Sequence, residues 1–385
     1  MKRNLFSIIL AAMLLLSMVG CGNNANTPSA QEPSQAAPSS DTATTDTATE
    51  KQNEARVITD LGGNQVEIPP VSEIDKIVII SPPVTSVALE AIPDKNMIVG
   101  LNPRAFAFSN PAIMAKLYPN IKDVDTTFIG DNFAVNTEAL LKLEPDIILY
   151  YGEMQKKGVA NIGLPIIDFY PTNITDPKDV ATSWDNLLRE IFGVDNSVGL
   201  ETEWKTTEQK TAELLKNQTS ETKSALCVFS NMGGSLVVSG NSATDTYAQN
   251  FFDKAGIRNV AEEIDGTAEV SMEQIYKWNP DMIIVFHNAP AKAILNNNIE
   301  GQDWSLLDAW KNKAVYDVPQ STYAWVTPCA DSPLMPLWLI SKAYPELYSE
   351  EALRQDIAAY YERLHKTTLT DEEITSILAL REVKK

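Results

Sequence analysis

The chain has 385 residues, enough for two domains, with 51 acidic against 31 basic side chains and a formal charge of −20. That balance excludes the basic footprint of a nucleic-acid binder and argues against adhesion to an anionic lipid surface. Two histidines and three cysteines are too few for a bare-cation site built from several imidazoles or thiolates.

Residues 1–20 carry Lys2 and Arg3, then an apolar run over 5–19, and read as a secretory signal too short to span a bilayer comfortably. Met18-Val19-Gly20-Cys21 resembles the lipobox of bacterial lipoproteins, which implies cleavage before Cys21 and a lipid on that residue. Residues 21–55 are rich in Asn, Ala, Ser, Thr, Pro and Gln and lack aromatic residues, so they form a tether rather than a core.

Folding starts near Arg56. Residues 56–70 read as a β-hairpin around Gly62-Gly63-Asn64, 75–81 as a strand and 86–92 as a helix. A strand over 97–101 opens into a loop with Arg104, Phe106 and Phe108. A helix over 111–117 follows, then a loop with Phe128 and Phe133. Residues 135–151, VNTEALLKLEPDIILYY, form a short amphipathic helix, a Pro-Asp stop and a buried strand. The chain repeats this unit at 270–286, VSMEQIYKWNPDMIIVF. Glu138, Lys142, Pro145 and Asp146 each have a counterpart 135 residues on, at Glu273, Lys277, Pro280 and Asp281. One repeat at a fixed offset predicts two lobes of like construction. The Pro-Asp step ends the helix and begins a turn. The glutamates read as mid-helix residues, and spacing alone leaves them either solvated or functional.

Between the repeats, residues 176–220 hold two amphipathic segments parted at Phe192-Gly193. The second, 198–217, spans about 30 Å as a helix. The second lobe then runs through strands at 225–231 and 235–240, a helix over 244–255 and the second repeat. Beyond it come His287, an apolar helix face over 304–310, a strand at 314–319 and a loop with Tyr323 and Trp325. Helices over 334–343, 350–365 and 371–380 close the chain, with His365 on a polar helix. Strands alternating with helices predict an α/β class with parallel sheets and a ligand beyond the carboxyl ends of the strands. Cys227 lies in a strand-like run and Cys329 in a loop; their pairing stays open. No cysteine cluster, phosphate-cradling glycine loop or Ser-His-Asp constellation marks an enzyme.

Taken in order, these landmarks resemble the solute-binding lipoproteins of ABC importers for ferric siderophores, haem and cobalamin, the helical-backbone class III periplasmic binding proteins. They are TDLGGNQVEIP, IVIISPPVTSVALEAI, MIVGLNP, the two Glu…Lys-x-x-Pro-Asp units, the helix between them and NKAVYDVPQSTYAWVTP. The resemblance runs from Val57 to the C-terminus. It implies two Rossmann-like α/β lobes, 56–175 and 222–385, joined through a connector at 176–221 by a single long interlobe helix, with the ligand in the cleft. It implies an extracytoplasmic, membrane-anchored carrier with no cofactor and no enzymatic activity. Glu138 and Glu273 are then the points that dock on the two permease subunits of the ATPase-driven importer.

By loop position the resemblance places Pro83, Thr85, Arg104, Phe106, Phe128 and Tyr151 in the cleft from the first lobe. From the second it places Asn231, Met232, His287, Tyr323 and Trp325. Tyr323 and Trp325 offer flat area to a chelate, or else plug the strand–helix junction. Arg104 pairs with an anionic ligand or is a solvated loop residue. His287 ligates a metal or holds structure through hydrogen bonds. An intact metal chelate, whether siderophore, corrinoid or haem, fits this set better than a bare cation. An oxyanion or other small solute, or a surface sensor that borrowed the fold, are the competing readings.

Overall fold

The computed structural model describes residues 54–383, apart from 131, 196–197 and 242–246. The signal segment, Cys21 and nearly all of the tether lie outside the described residues.

The chain opens with the expected hairpin. Strands β1 (Arg56–Thr59) and β2 (Gln65–Ile68) pair antiparallel, Thr59 opposite Gln65. Asp60 ties the turn together: Oδ1 accepts the Asn64 N–H at 2.7 Å, and Oδ2 accepts the Asp168 N–H at 3.0 Å. A four-stranded sheet follows in the order β4 (Ile98–Leu101), β3 (Ile77–Ile79), β5 (Ile147–Tyr150), β6 (Ile166–Asp168), parallel throughout. The second sheet runs β10 (Thr267–Glu269), β8 (Ser235–Ser239), β7 (Ser224–Met232), β11 (Met282–Val285), β12 (Val315–Asp317), with β9 (Arg258–Asn259) also on β7. Its β7, β11 and β12 are parallel. The β7–β8 pair is an antiparallel hairpin turned at Gly233 and Gly234, both at positive φ, so this sheet is mixed.

Side-chain alternation sorts the core. Ile77 and Ile79 face one side of the first sheet, Val78 and Ile80 the other. In the second sheet Cys227 and Ile284 face one side, Val228 and Ile283 the other. Central strands buried on both faces need apolar residues at every position, as their sequences show. The inner faces of both sheets, the helices between them and the C-terminal helices share one continuous apolar core.

The connector holds the two segments expected on either side of Phe192-Gly193. It is two helices, Pro177–Phe192 and Leu200–Lys216, packed on each other. Gly193 adopts the left-handed conformation that closes the first, and its N–H returns to the Arg189 carbonyl. At 17 residues the second helix is about 25 Å long, short of the expected span. The first packs on helix Pro82–Ala91, the second on helix Met335–Ala343. Helix Pro82–Ala91 itself starts four residues before the expected position. Pro82 and Pro83 occupy the first helical positions, where a missing N–H costs nothing.

The repeat is exact in structure. Asn136 and Ser271 cap the N-termini of helices Thr137–Lys142 and Met272–Trp278 by accepting the N–H groups of Ala139 and Gln274. Glu144 and Asn279 leave these helices at positive φ, 51° and 37°. Asp146 then accepts the N–H groups of Asp75 and Lys76, both at 2.8 Å. Asp281 accepts the Ser224 N–H at 2.8 Å and its hydroxyl at 2.7 Å. Each aspartate thus fastens the start of the neighbouring central strand, a role beyond the turn chemistry its sequence suggested.

Three readings change. Glu138 and Glu273 are second residues of their helices, not mid-helix residues, because Asn136 and Ser271 start those helices later than the apolar pattern implied. His365 follows helix Glu350–Arg363 and is buried against Asp331. The apolar face over 304–310 is mostly turn, with a helix only over Asp308–Lys311. Cys227 and Cys329 are free and buried.

Candidate functional site

The site is built where loops from the two sheets meet. After β4, the Asn102 carboxamide accepts the Arg104 N–H at 2.9 Å and starts the one-turn helix Arg104–Ala107. Phe108 follows. Asn110 caps helix Pro111–Leu117 and donates its backbone N–H to the Ser321 carbonyl at 2.8 Å, crossing to the loop after β12. That loop is closed on itself by Trp325 N–H to Pro319 O and Ser321 N–H to Tyr323 O, both 3.1 Å, with Tyr323 in its turn.

Rings converge at this crossing. Phe108 lies 4.6 Å from His287, 5.8 Å from Tyr323 and 5.9 Å from Phe286, centroid to centroid. Phe229 lies 5.0 Å from His287. The Arg104 guanidinium sits 5.6 Å over the Phe133 ring, a cation–π distance. Phe133 holds φ at +62°, an uncommon conformation for an aromatic residue. Arg104 also acts on His287 and Tyr323 through its charge. Burial first, then Arg104 and Arg381, push the His287 imidazolium down to about 4, so the ring is neutral at physiological pH. Burial pushes the Tyr323 phenol well up, and Arg104 offsets part of that shift. The outcome is an aromatic cluster, buried at Phe286 and Tyr323 and half-buried at Phe108, Phe229 and His287, with the Arg104 guanidinium over Phe133 and Arg381 near His287.

The structure brings Arg104, His287 and Tyr323 into this group and leaves the other expected residues elsewhere. Phe106 is half-buried against the main core one turn away. Thr85 and Pro83 lie in the first turn of helix Pro82–Ala91, Thr85 buried with its hydroxyl toward the Ser81 carbonyl. Phe128 is buried with Val78 and Ile80 on the outer face of the first sheet. Asn231 is buried in a reciprocal amide pair with Gln302, at 2.8 and 2.9 Å. Met232 is 67% exposed at the β7–β8 turn. Tyr151 packs on Tyr170 and Trp184 and helps line a depression of about 550 Å³ with Gly62, Asn64, Met154, Asp168 and Tyr170. Trp325 is wholly buried beneath Tyr323, its indole N–H donated to Ser321 Oγ at 2.6 Å. Of the phenylalanines in these two loops, Phe108 and Phe133 make the ring and cation–π contacts of the cluster, and Phe106 and Phe128 do not. Nothing local marked Phe229 or Phe286.

Glu138 is 82% exposed at its side chain and pairs with Lys142 at 2.7 Å; Glu273 is also exposed. Both sit in first turns, where the helix dipole favours a carboxylate.

Comparison with known proteins gives this fold a class. The family model described as "Periplasmic binding protein" matches residues 99–322, and the chain belongs to that family. The molybdate-binding protein MolA of Haemophilus influenzae is 24% identical over 333 residues, covering 81% of this chain and 92% of that protein. The Fe(3+)-citrate-binding protein YfmC of Bacillus subtilis is 25% identical over 230 residues, 58% of this chain and 69% of its own length. A periplasmic solute binding protein from Veillonella parvula superposes with a TM-score of 0.70 at 28% identity, covering 84% of this chain and 97% of that one. The chain is therefore the extracytoplasmic solute-binding component of an ABC importer.

Proposed function

We propose that the chain captures an intact metal chelate of low net negative charge, whether siderophore, corrinoid or haem, where the Arg104–Phe108 loop meets Phe229, His287 and Tyr323. The observation that carries this reading is the ring cluster itself: aromatic side chains drawn from both sheets and their loops, with the Arg104 guanidinium beside it and Arg381 near His287 but held by Asp317. Such a lining suits a large organic periphery and is too poor in cations for a polycarboxylate. With two histidines in the whole chain, cargo that brings its own donors fits better than a bare cation. The chain acts as a carrier without enzymatic activity, its lobes being 56–175 and 222–385 around the connector at 176–221. Lipid on Cys21 anchors it, a reading supported by the lipobox-like Met18-Val19-Gly20-Cys21. Glu138 and Glu273 dock on the paired permease subunits. A metal oxyanion is the second reading, favoured by the likeness to the molybdate-binding protein over most of the chain.

Thermal unfolding against haem, cobalamin, ferric siderophores, ferric citrate, molybdate and bare metal ions tests the reading. A ligand at a hundred times its Kd adds about 2.7 kcal/mol, a shift of a few degrees. The expected outcome is a shift with one chelate, abolished by Arg104→Ala. A shift with molybdate alone would replace the chelate by the oxyanion.

A further inference from the structure

We propose that Asp331, sealed beneath the site, is the positioning residue for both of its walls; this rests on the reading of the ring cluster as the ligand site. The Asp331 side chain is fully buried. Its Oδ2 accepts the hydroxyl of Ser321, the N–H of Thr322 at 3.0 Å, the hydroxyl of Thr322 at 2.6 Å and the hydroxyl of Tyr361 at 2.9 Å. Its Oδ1 lies 3.0 Å from His365 Nε2. A buried carboxylate that gathers five partners holds them far more tightly than neutral acceptors would.

What these partners carry is the site. Ser321 and Thr322 immediately precede Tyr323, so the carboxylate fixes the loop that presents that ring. Ser321 also accepts the Trp325 indole N–H, locking the far side of the same loop. The Ser321 carbonyl in turn receives the Asn110 N–H, which fixes the end of the loop bearing Arg104 and Phe108. One residue before Asp331, the Ala330 N–H reaches Ser86 Oγ at 3.1 Å, a second tie to the helix after β3. The 5.8 Å approach of Phe108 to Tyr323 thus depends on a carboxylate that neither ring touches.

Asp331 also holds Tyr361 on helix Glu350–Arg363, a residue that presents neither wall of the site, and this makes a test possible. Ser321→Ala and Tyr361→Phe each remove one hydroxyl from the same oxygen, and both are expected to lower the unfolding temperature by a few degrees. Only Ser321→Ala should abolish the nuclear Overhauser contact between the Phe108 and Tyr323 rings. Asp331→Asn should abolish it too and move the Trp325 indole resonance. Haem, followed at its Soret band, and molybdate, followed by calorimetry, serve as probes. A probe that binds the wild-type chain should bind Ser321→Ala at least tenfold more weakly and Tyr361→Phe unchanged. Persistence of the ring contact in Ser321→Ala, or its equal loss in Tyr361→Phe, overturns the proposal. If neither probe binds the wild-type chain, haem and molybdate are excluded as cargo and the ring contact alone decides the positioning. Should Asp331→Asn not fold, the other two variants decide alone.

Discussion

At His287, burial and two guanidinium groups act in the same direction, and the imidazole stays neutral down to about pH 4. Between about 6.5 and 4 the native chain therefore holds fewer protons here than the unfolded chain. This residue's contribution is present in full above about pH 6.5 and is lost as pH falls through 4. His287→Phe should flatten the stability profile in that window, measured by urea unfolding at half-unit steps of pH. Asp331 behaves alike at lower pH. Hydrogen bonds from His365, Ser321 and Thr322 outweigh the cost of burial and hold its carboxyl down to about 2, so its contribution is intact above about pH 3.8 and disappears as pH falls through 2. No sequence pattern announces such a residue. A buried acid reads as an ordinary loop aspartate until its five partners, from as far as 34 positions away, are brought together.

Among the elements, the repeat makes a prediction of equivalence. Asp146 and Asp281 hold the starts of β3 and β7 through two accepted bonds each, so Asp146→Ala and Asp281→Ala should cost similar amounts, about 1–3 kcal/mol apiece in urea unfolding. A second prediction concerns the connector. Arg189 on helix Pro177–Phe192 bonds Glu90 of the preceding lobe and Asp185 of its own helix, while Asp185 accepts the Leu200 N–H at 2.7 Å. Two buried acids share one cation there. Burial first and Asp185 second push the Glu90 carboxyl up to about 8, against the pull of Arg189. Between about 4.5 and 8 the native state holds a proton that the unfolded state has released, so stability falls as pH rises through that window. Glu90→Gln should remove the slope. The strands other than β9 and β10, the helix at Pro111–Leu117 and the two-part connector were legible because apolar period, proline and glycine mark them locally; β9 and β10, two and three residues long, carry too little pattern. Helix Pro82–Ala91 was misplaced because its two prolines read as a break rather than a beginning. The site was legible only to the level of loops: which of Phe106 and Phe108 faces the crossing depends on a one-turn helix that no period reveals.

Across the whole molecule, the two halves share an apolar core rather than meeting at a polar hinge. The last helix adds a clasp: Glu373 pairs with Lys116 at 2.6 Å and Ser376 with Asn110 at 2.8 Å, while Arg381 beyond it grips Asp317 of β12. The folded part should unfold in one transition, seen alike by tyrosine–tryptophan fluorescence and near-ultraviolet dichroism. In uptake assays, Glu138→Ala with Glu273→Ala should abolish transport while leaving ligand affinity unchanged; normal uptake by that pair would remove the docking role. The shared core also bears on traffic at the membrane. With the halves sharing one core, little closure on cargo is expected, and the importer should meet nearly the same outline whether the carrier is laden or empty. Empty copies then queue for the same berth, and raising their number above that of cargo should slow uptake rather than speed it.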